Sequence, residues 1–331
     1  MISVISTCSS LLIRHHRKFA GLAVWKRYNR QSTRILGNIY FDRMAPKVAV
    51  VTGANKGIGF QIVKDLCRQF KGDVFLTARD NSRGQAAVQM LEKEGLHPKY
   101  HQLDISDHSS IVRLKDFLQN TYGGLDVLVN NAGILYESEL QTEKGPDTKP
   151  STDVPFSEVA ERTCQINFFA NLEVSEVLLP ILRPHARVCN VSSARHEKAL
   201  NEISQHWKDK LFSPDIEMKE LKDIMDSYVK AAKQNKHLEE GFSGFSYGMA
   251  KLAMNVMTAI HQREVDENGG EDILINACAP GFVATDLTQH KGHLTVEEGA
   301  ATPVSLCLLA PNVKGPRGMF LTKEMMSKQK Y

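Results

Sequence analysis

From Lys47 onward the chain alternates apolar runs with stretches in which apolar residues recur at steps of three and four. Residues 48–51 form an unbroken apolar run that ends at a glycine-rich turn, and further strands are expected at 74–77, 100–103, 125–129, 187–191 and 273–277. Runs without polar alternation suit strands buried on both faces of a parallel sheet. Between them Ile58, Ile62, Val63, Leu66 and Phe70 mark one helix, and Ile111, Leu114, Phe117 and Leu118 another. Helices are also expected over 85–91, over a long span 159–179, and over 247–264. Strand–helix alternation with right-handed crossovers predicts an α/β fold, a Rossmann-type doubly wound parallel sheet in a single domain.

Two stretches break the rhythm. Residues 135–158 are polar, with Pro146, Pro150 and Pro155, and predict an irregular loop. Residues 194–246 form a helical insert before the 247–264 helix. Within it Leu221, Ile224, Met225, Tyr228 and Ala232 trace an amphipathic helix.

The formal charge of +3 is unevenly spread. Residues 1–43 carry eight Arg or Lys and one acid, Asp42, while the remainder holds 37 acidic and 33 basic residues. An acidic body argues against a nucleic-acid surface. The expected division is a basic N-terminal extension over 1–43 and a catalytic body over 44–331. The extension is rich in Arg, Ser and apolar residues and nearly free of acid, the composition of a transit peptide. A mitochondrial destination and a cytoplasmic form starting at Met44 both remain open on this composition. No apolar run approaches membrane-spanning length. The six cysteines show no CxxC spacing; they are expected as free, mostly buried thiols, and no metal set is expected.

The glycine turn Gly53, Asn55, Lys56, Gly57, Ile58, Gly59 follows the first strand and opens a helix. Small residues there let backbone approach a pyrophosphate, and the helix N-terminus attracts its charge. The second strand ends at Arg79, where an acidic residue would hold the ribose of NAD. A guanidinium suits a 2′-phosphate instead, with Lys56 as a second cation. Asp80, one step on, is the dissenting residue. Asp104 and Ile105 follow the third strand, Asp104 placed to accept from an adenine amine or to cap a helix. Asn131 ends the fourth strand. Ser192 and Ser193 end the fifth, where either hydroxyl could donate to a substrate carbonyl. Pro280, Gly281, Val283 and Thr285 follow the sixth, where Thr285 could hold a carboxamide. Tyr247 and Lys251 lie four apart, on one face of a helix. An ammonium beside a phenol favours the phenolate, so the Tyr247 pKa is expected to fall from about 10. Together these residues point to hydride chemistry on a carbonyl or alcohol, with NADPH as cofactor.

Thr-Gly-x-x-x-Gly-x-Gly, Asn-Asn-Ala-Gly, Asn-x-Ser-Ser, Tyr-x-x-x-Lys and Pro-Gly occur in this order between residues 46 and 322. The chain thereby resembles the short-chain dehydrogenase/reductases, and within them the monomeric NADPH-dependent carbonyl reductases. The resemblance implies that Ser193 binds and polarises the carbonyl, Tyr247 donates the proton, and Lys251 binds nicotinamide ribose. It implies that Asn167 anchors a water of the proton relay. It further implies reduction of aldehydes, ketones and quinones; a hydroxysteroid or prostaglandin oxidoreductase is the alternative, and a non-catalytic nucleotide sensor a more distant one. Ser193 and Tyr247 are 54 positions apart. The same long insert marks the monomeric members, so the chain is expected to be a monomer acting on a small-molecule carbonyl. Three departures bear on substrate range. The 134–162 loop is longer than in those relatives, Phe282 replaces a tryptophan, and Arg195 stands where an apolar residue is expected.

Overall fold

The computed structural model describes residues 46–140 and 154–328. The 1–43 extension, Cys8 and the middle of the 134–162 loop lie outside the described residues. Seven parallel strands run in the order β3-β2-β1-β4-β5-β6-β7. They are β1 (Lys47–Val51), β2 (Gly72–Ala78), β3 (Lys99–Gln102), β4 (Leu125–Asn130), β5 (Leu182–Val191), β6 (Leu274–Cys278) and β7 (Phe320–Leu321). Strand order reverses between β1 and β4, which opens a crevice at their carboxyl ends.

The helices are α1 (Gly57–Gln69), α2 (Asn81–Lys93), α3 (His108–Tyr122), α4 (Glu137–Leu140), α5 (Phe156–Cys164), α6 (Asn171–Leu178), α7 (His196–Glu202), α8 (Gln205–Leu211), α9 (Met218–Lys233), α10 (Ser246–Glu267), α11 (Val296–Cys307) and α12 (Lys323–Lys328). Alternate β1 residues face opposite layers, as strand pleating requires. Ala49 and Val51 pack with Ile62 and Leu66 of α1, Leu91 of α2 and Val304 of α11. Val48 and Val50 pack with Leu114 and Leu118 of α3 and Val174 and Leu178 of α6. A third cluster holds no strand residue: Leu221, Ile224, Met225 and Tyr228 of α9 pack with Ala250, Ala253, Met254 and Met257 of α10. The insert helix therefore covers the outer face of α10.

The long helix expected over 159–179 is interrupted. Gln165–Ala170 is π-helical between α5 and α6. The cause is local. The Asn167 amide pairs with both main-chain groups of Ile134, each at 2.8 Å, and Asn171 Nδ2 donates to the carbonyl of Ile166 at 2.9 Å. Side chains inserted into a helical ladder widen it. The 135–158 stretch, expected as loop throughout, contains α4 and the start of α5. β5 begins five residues earlier than expected, across a register shift against β4 and a left-handed His185 at φ 67°. Cys67, Cys164, Cys189, Cys278 and Cys307 are free thiols, and only Cys67 is not fully buried.

Candidate active site

The crevice at the β1/β4 reversal is a groove of about 590 Å³. It gathers Gly53, Asn55, Lys56, Gly57, Ile58, Gly59, Arg79, Asp104, Ile105, Asn131 and Thr285 from segments distant in sequence. The turn after β1 has left-handed glycines at Gly53 (φ 61°) and Gly57 (φ 60°). A Cβ at Gly59 would lie 2.4 Å from the Asn131 amide nitrogen. Asn131 Nδ2 donates to the carbonyls of Thr52 (2.9 Å) and Gly53 (3.2 Å), while Thr52 Oγ1 accepts the N–H groups of Asn131 and Ala132. Asn131 thus shapes the turn with its side chain while lining the groove. The first turn of α1 has no side-chain cap and no acid, so its N–H groups and dipole face the groove unneutralised.

Arg79 lies on the groove wall with Arg83, a cation that the sequence pattern alone did not single out. Asp80, the dissenting residue, also lines the groove, but its Oδ1 accepts the N–H of Arg83 at 2.8 Å and caps α2. Its sequence signal was the position three residues before Arg83, at the start of a helix. Lys56 reaches across the groove rim to Asp286, 2.7 Å away, an exposed ion pair between the glycine turn and the segment after β6. Asp104 accepts the N–H and hydroxyl of Ser106 at 2.9 and 2.6 Å in a local turn, while the N-cap of α3 is Asp107, so the capping alternative for Asp104 is not met. Pro280, Gly281 and Val283 are not among the residues that line the groove. Gly281 is left-handed at φ 87°, and Val283 is buried and bridged to Leu294. Thr285 does line the groove, where the methyl of its side chain is 3.5 Å from a Cβ built on Gly57.

Tyr247 occupies the first turn of α10, and Ser193 follows β5. The two serines differ. Ser192 is buried and its hydroxyl donates to the carbonyl of Lys251 at 3.2 Å, whereas the Ser193 hydroxyl accepts the main-chain N–H of Arg195 at 3.2 Å and lies close enough to Tyr247 to favour its phenolate. Lys251 is buried, donates to the carbonyl of Val191 at 2.7 Å, and lies 5.7 Å from the Tyr247 ring centroid. Burial lowers its pKa to about 8. The expected fall in the Tyr247 pKa is overturned. Burial raises it to about 12, opposed by the Ser193 hydrogen bond and by Arg195 and assisted by Glu139. Desolvation of the phenolate outweighs the nearby cations. A phenol held protonated is a proton donor.

A buried polar ladder holds these elements in place. Asn130 Nδ2 donates to Ser175 Oγ and Asn190 Oδ1, and Asn190 Nδ2 donates to Thr258 Oγ1 on α10, all between 2.8 and 3.0 Å. Asn167, buried in the π-helical turn, fastens Ile134 at the start of the long loop.

A sequence profile described as short chain dehydrogenase matches residues 47–206. Carbonyl reductase (NADPH) 3 of Mus musculus is 47% identical over 281 residues, covering 85% of this chain and 97% of that protein. The chain belongs to the short-chain dehydrogenase family. This short-chain dehydrogenase is also 47% identical to carbonyl reductase (NADPH) 1 of Homo sapiens over 278 residues, 84% of the chain and 96% of that protein. Among solved structures it is similar to salutaridine reductase from Papaver somniferum, with a TM-score of 0.72 and 30% identity, covering 83% of this chain and 99% of that one.

Proposed function

We propose that the chain is an NADPH-dependent carbonyl reductase that converts aldehyde, ketone and quinone carbonyls to alcohols. The observation that carries this reading is the Ser193, Tyr247 and Lys251 set, its phenol held protonated, in a fold whose crevice is lined by Lys56, Arg79 and Arg83. The likeness to the two mammalian enzymes, each named for carbonyl reduction with NADPH, supports it. The groove fits the cofactor: the left-handed glycines Gly53 and Gly57 line it without side chains, and an acid-free helix N-terminus faces it.

Arg79, Arg83 and Lys56 hold the 2′-phosphate, the α1 N-terminus the pyrophosphate, and Asp104 and Ile105 flank the adenine. Thr285, with the Pro280–Val283 segment behind it, holds the carboxamide end. NADPH, when bound, supplies the hydride. Ser193 binds the carbonyl oxygen, and Tyr247 releases its phenolic proton to that oxygen. Lys251 holds ribose hydroxyls and keeps a positive charge beside the ring. The side-chain amide of Asn167 is committed to Ile134, so its part in a proton relay rests on its main chain.

Residues 44–331 form the NADP-binding body, and 1–43 a basic extension that directs the protein to mitochondria or is absent from a cytoplasmic form. Among the described residues no helix is long and apolar enough to cross a membrane. The body acts as a monomer, because α9 already covers α10. The test is loss of reduced-cofactor absorbance on mixing residues 44–331 with NADPH or NADH and a panel of quinones, aromatic aldehydes and ketosteroids. Quinone turnover with NADPH and little with NADH supports the reading; tight NADPH binding with no turnover on any carbonyl counts against it.

A further inference from the structure

Glu139 belongs to α4, in the loop that distinguishes this chain, yet its side chain is buried at 5% exposure. Its Oε1 accepts the hydroxyl of Ser246 at 2.7 Å and the main-chain N–H of Tyr247 at 3.0 Å. Its main-chain carbonyl accepts Arg195 Nη1 at 3.1 Å. The main-chain N–H of Arg195 in turn donates to Ser193 Oγ at 3.2 Å. One residue therefore binds the segment carrying the phenol and the segment carrying the serine. A carboxylate at a helix N-terminus satisfies N–H groups the helix leaves open and complements its dipole. Here the helix is α10, which has no side-chain cap from its own preceding residue.

We propose that Glu139 is a positioning residue for proton transfer, fixing Tyr247 through its carboxylate and Arg195 beside Ser193 through its main chain. The inference rests on the reading of Tyr247 as proton donor and Ser193 as carbonyl-binding hydroxyl. It gives the long loop a catalytic consequence: the loop is fastened at one end by Asn167 to Ile134 and, through Glu139, to the first turn of α10.

The charges matter as well as the geometry. Glu139 faces Ser246 and Tyr247 on α10, Arg195 before α7, Cys164 on α5 and Tyr228 on α9. Tyr247 faces Ser193, Arg195 and Glu139, with Lys251 on its ring. The negative charge of Glu139 favours the neutral phenol and the positive charge of Arg195 the phenolate, so the pair acts on Tyr247 in opposite senses.

The test compares Glu139→Gln and Arg195→Met in the full chain, reading NADPH affinity, melting temperature and the pH profile of kcat/KM with one quinone. Glu139→Gln keeps the shape and one acceptor oxygen. The expected result is unchanged NADPH affinity, kcat lowered about tenfold, and an alkaline limb moved to lower pH. Arg195→Met moves that limb to higher pH. A role in stability alone lowers the melting temperature and leaves both limbs in place; that result, or limbs moving in the same direction, overturns the proposal. If Glu139→Gln does not fold, Arg195→Met decides alone, because it leaves both carboxylate hydrogen bonds intact: an upward limb shift supports the proposal and an unmoved limb overturns it. Full turnover by Tyr247→Phe removes the underlying assignment instead, and the proposal with it.

Discussion

Lys251 Nζ lies 5.7 Å from the centroid of the Tyr247 ring while donating to the carbonyl of Val191 at 2.7 Å. The ammonium is anchored to the strand that leads to Ser193, so one buried cation ties β5 to the helix that carries the phenol. Tyr247→Phe preserves the ring and this contact and removes only the hydroxyl. It is expected to lower kcat by about 10²–10⁴, the usual worth of a positioned general acid, with NADPH affinity unchanged in a fluorescence titration. Turnover equal to the parent's would refute the assignment.

Burial of Lys251 has a cost that depends on pH. Its folded pKa, about 8, lies below the unfolded value of 10.5. Below pH 8 both states are protonated and the folded state bears the full desolvation penalty. Between about 8 and 10.5 the folded state has released a proton that the unfolded state still holds, so this group's contribution to stability rises with pH. Lys251→Met removes the penalty. The stability of that variant minus the parent's, from urea unfolding without cofactor, is expected to fall by about 2–3 kcal/mol between pH 7 and pH 10. A difference independent of pH would show that the lysine is not desolvated in the folded protein.

The first strand and the glycine turn after it were legible because residues 48–51 are buried on both faces, which forces an unbroken apolar run. What could not be read depends on contacts between distant segments. The π-helical turn exists because Asn167 meets Ile134, 33 positions away. Ser192 and Ser193 are chemically alike, and only the direction of each side chain at the strand end separates them. Spacing correctly placed Lys251 against Tyr247 but said nothing of desolvation, which reverses the expected direction of the phenol's shift. Glu139 carries no periodic signal at all; its partner Ser246 is 107 positions away.

In the proposed reading the 2′-phosphate is met by Arg79 and Arg83, which line the groove, while Asp80 is spent on the N-cap of α2. An acid occupied by a cap is poorly placed to hold a ribose hydroxyl, which explains how Asp80 coexists with NADPH use. Arg79→Ala is expected to reduce kcat/KM for NADPH by about 10- to 100-fold, the worth of one charge-assisted hydrogen bond to phosphate. The value for NADH should hardly change. Equal losses with both cofactors would mean that Arg79 supports the fold of the groove rather than reading the phosphate.

Lys56 is paired with Asp286 across the groove rim, so it must exchange that partner to meet a phosphate. Exposed pairs of this kind are weak. Asp286→Asn is therefore expected to tighten NADPH binding by about two- to fivefold at low salt, the gain shrinking as salt screens the pair. Isothermal titration at two ionic strengths measures it. Weaker binding in the variant would show that Asp286 orders the rim for the cofactor instead of competing with it.

The insert bears on assembly through Tyr228, which is fully buried between α9 and the α10 face. Its ring packs 5.4 Å from that of Phe242, and its hydroxyl has no hydrogen-bond partner among the described residues. The ring, rather than the hydroxyl, holds the insert down. Tyr228→Phe is expected to change stability little, while Tyr228→Ala should cost about 3–5 kcal/mol as a buried aromatic lost to a cavity. With α9 in place the apolar face of α10 is already covered, so light scattering of residues 44–331 should give the mass of one chain. Loosening α9 by Tyr228→Ala exposes that face, and concentration-dependent association of this variant alone is the expected consequence. A parent that scatters as a dimer or tetramer would show that copies meet through another surface and that the insert is not what sets the assembly state.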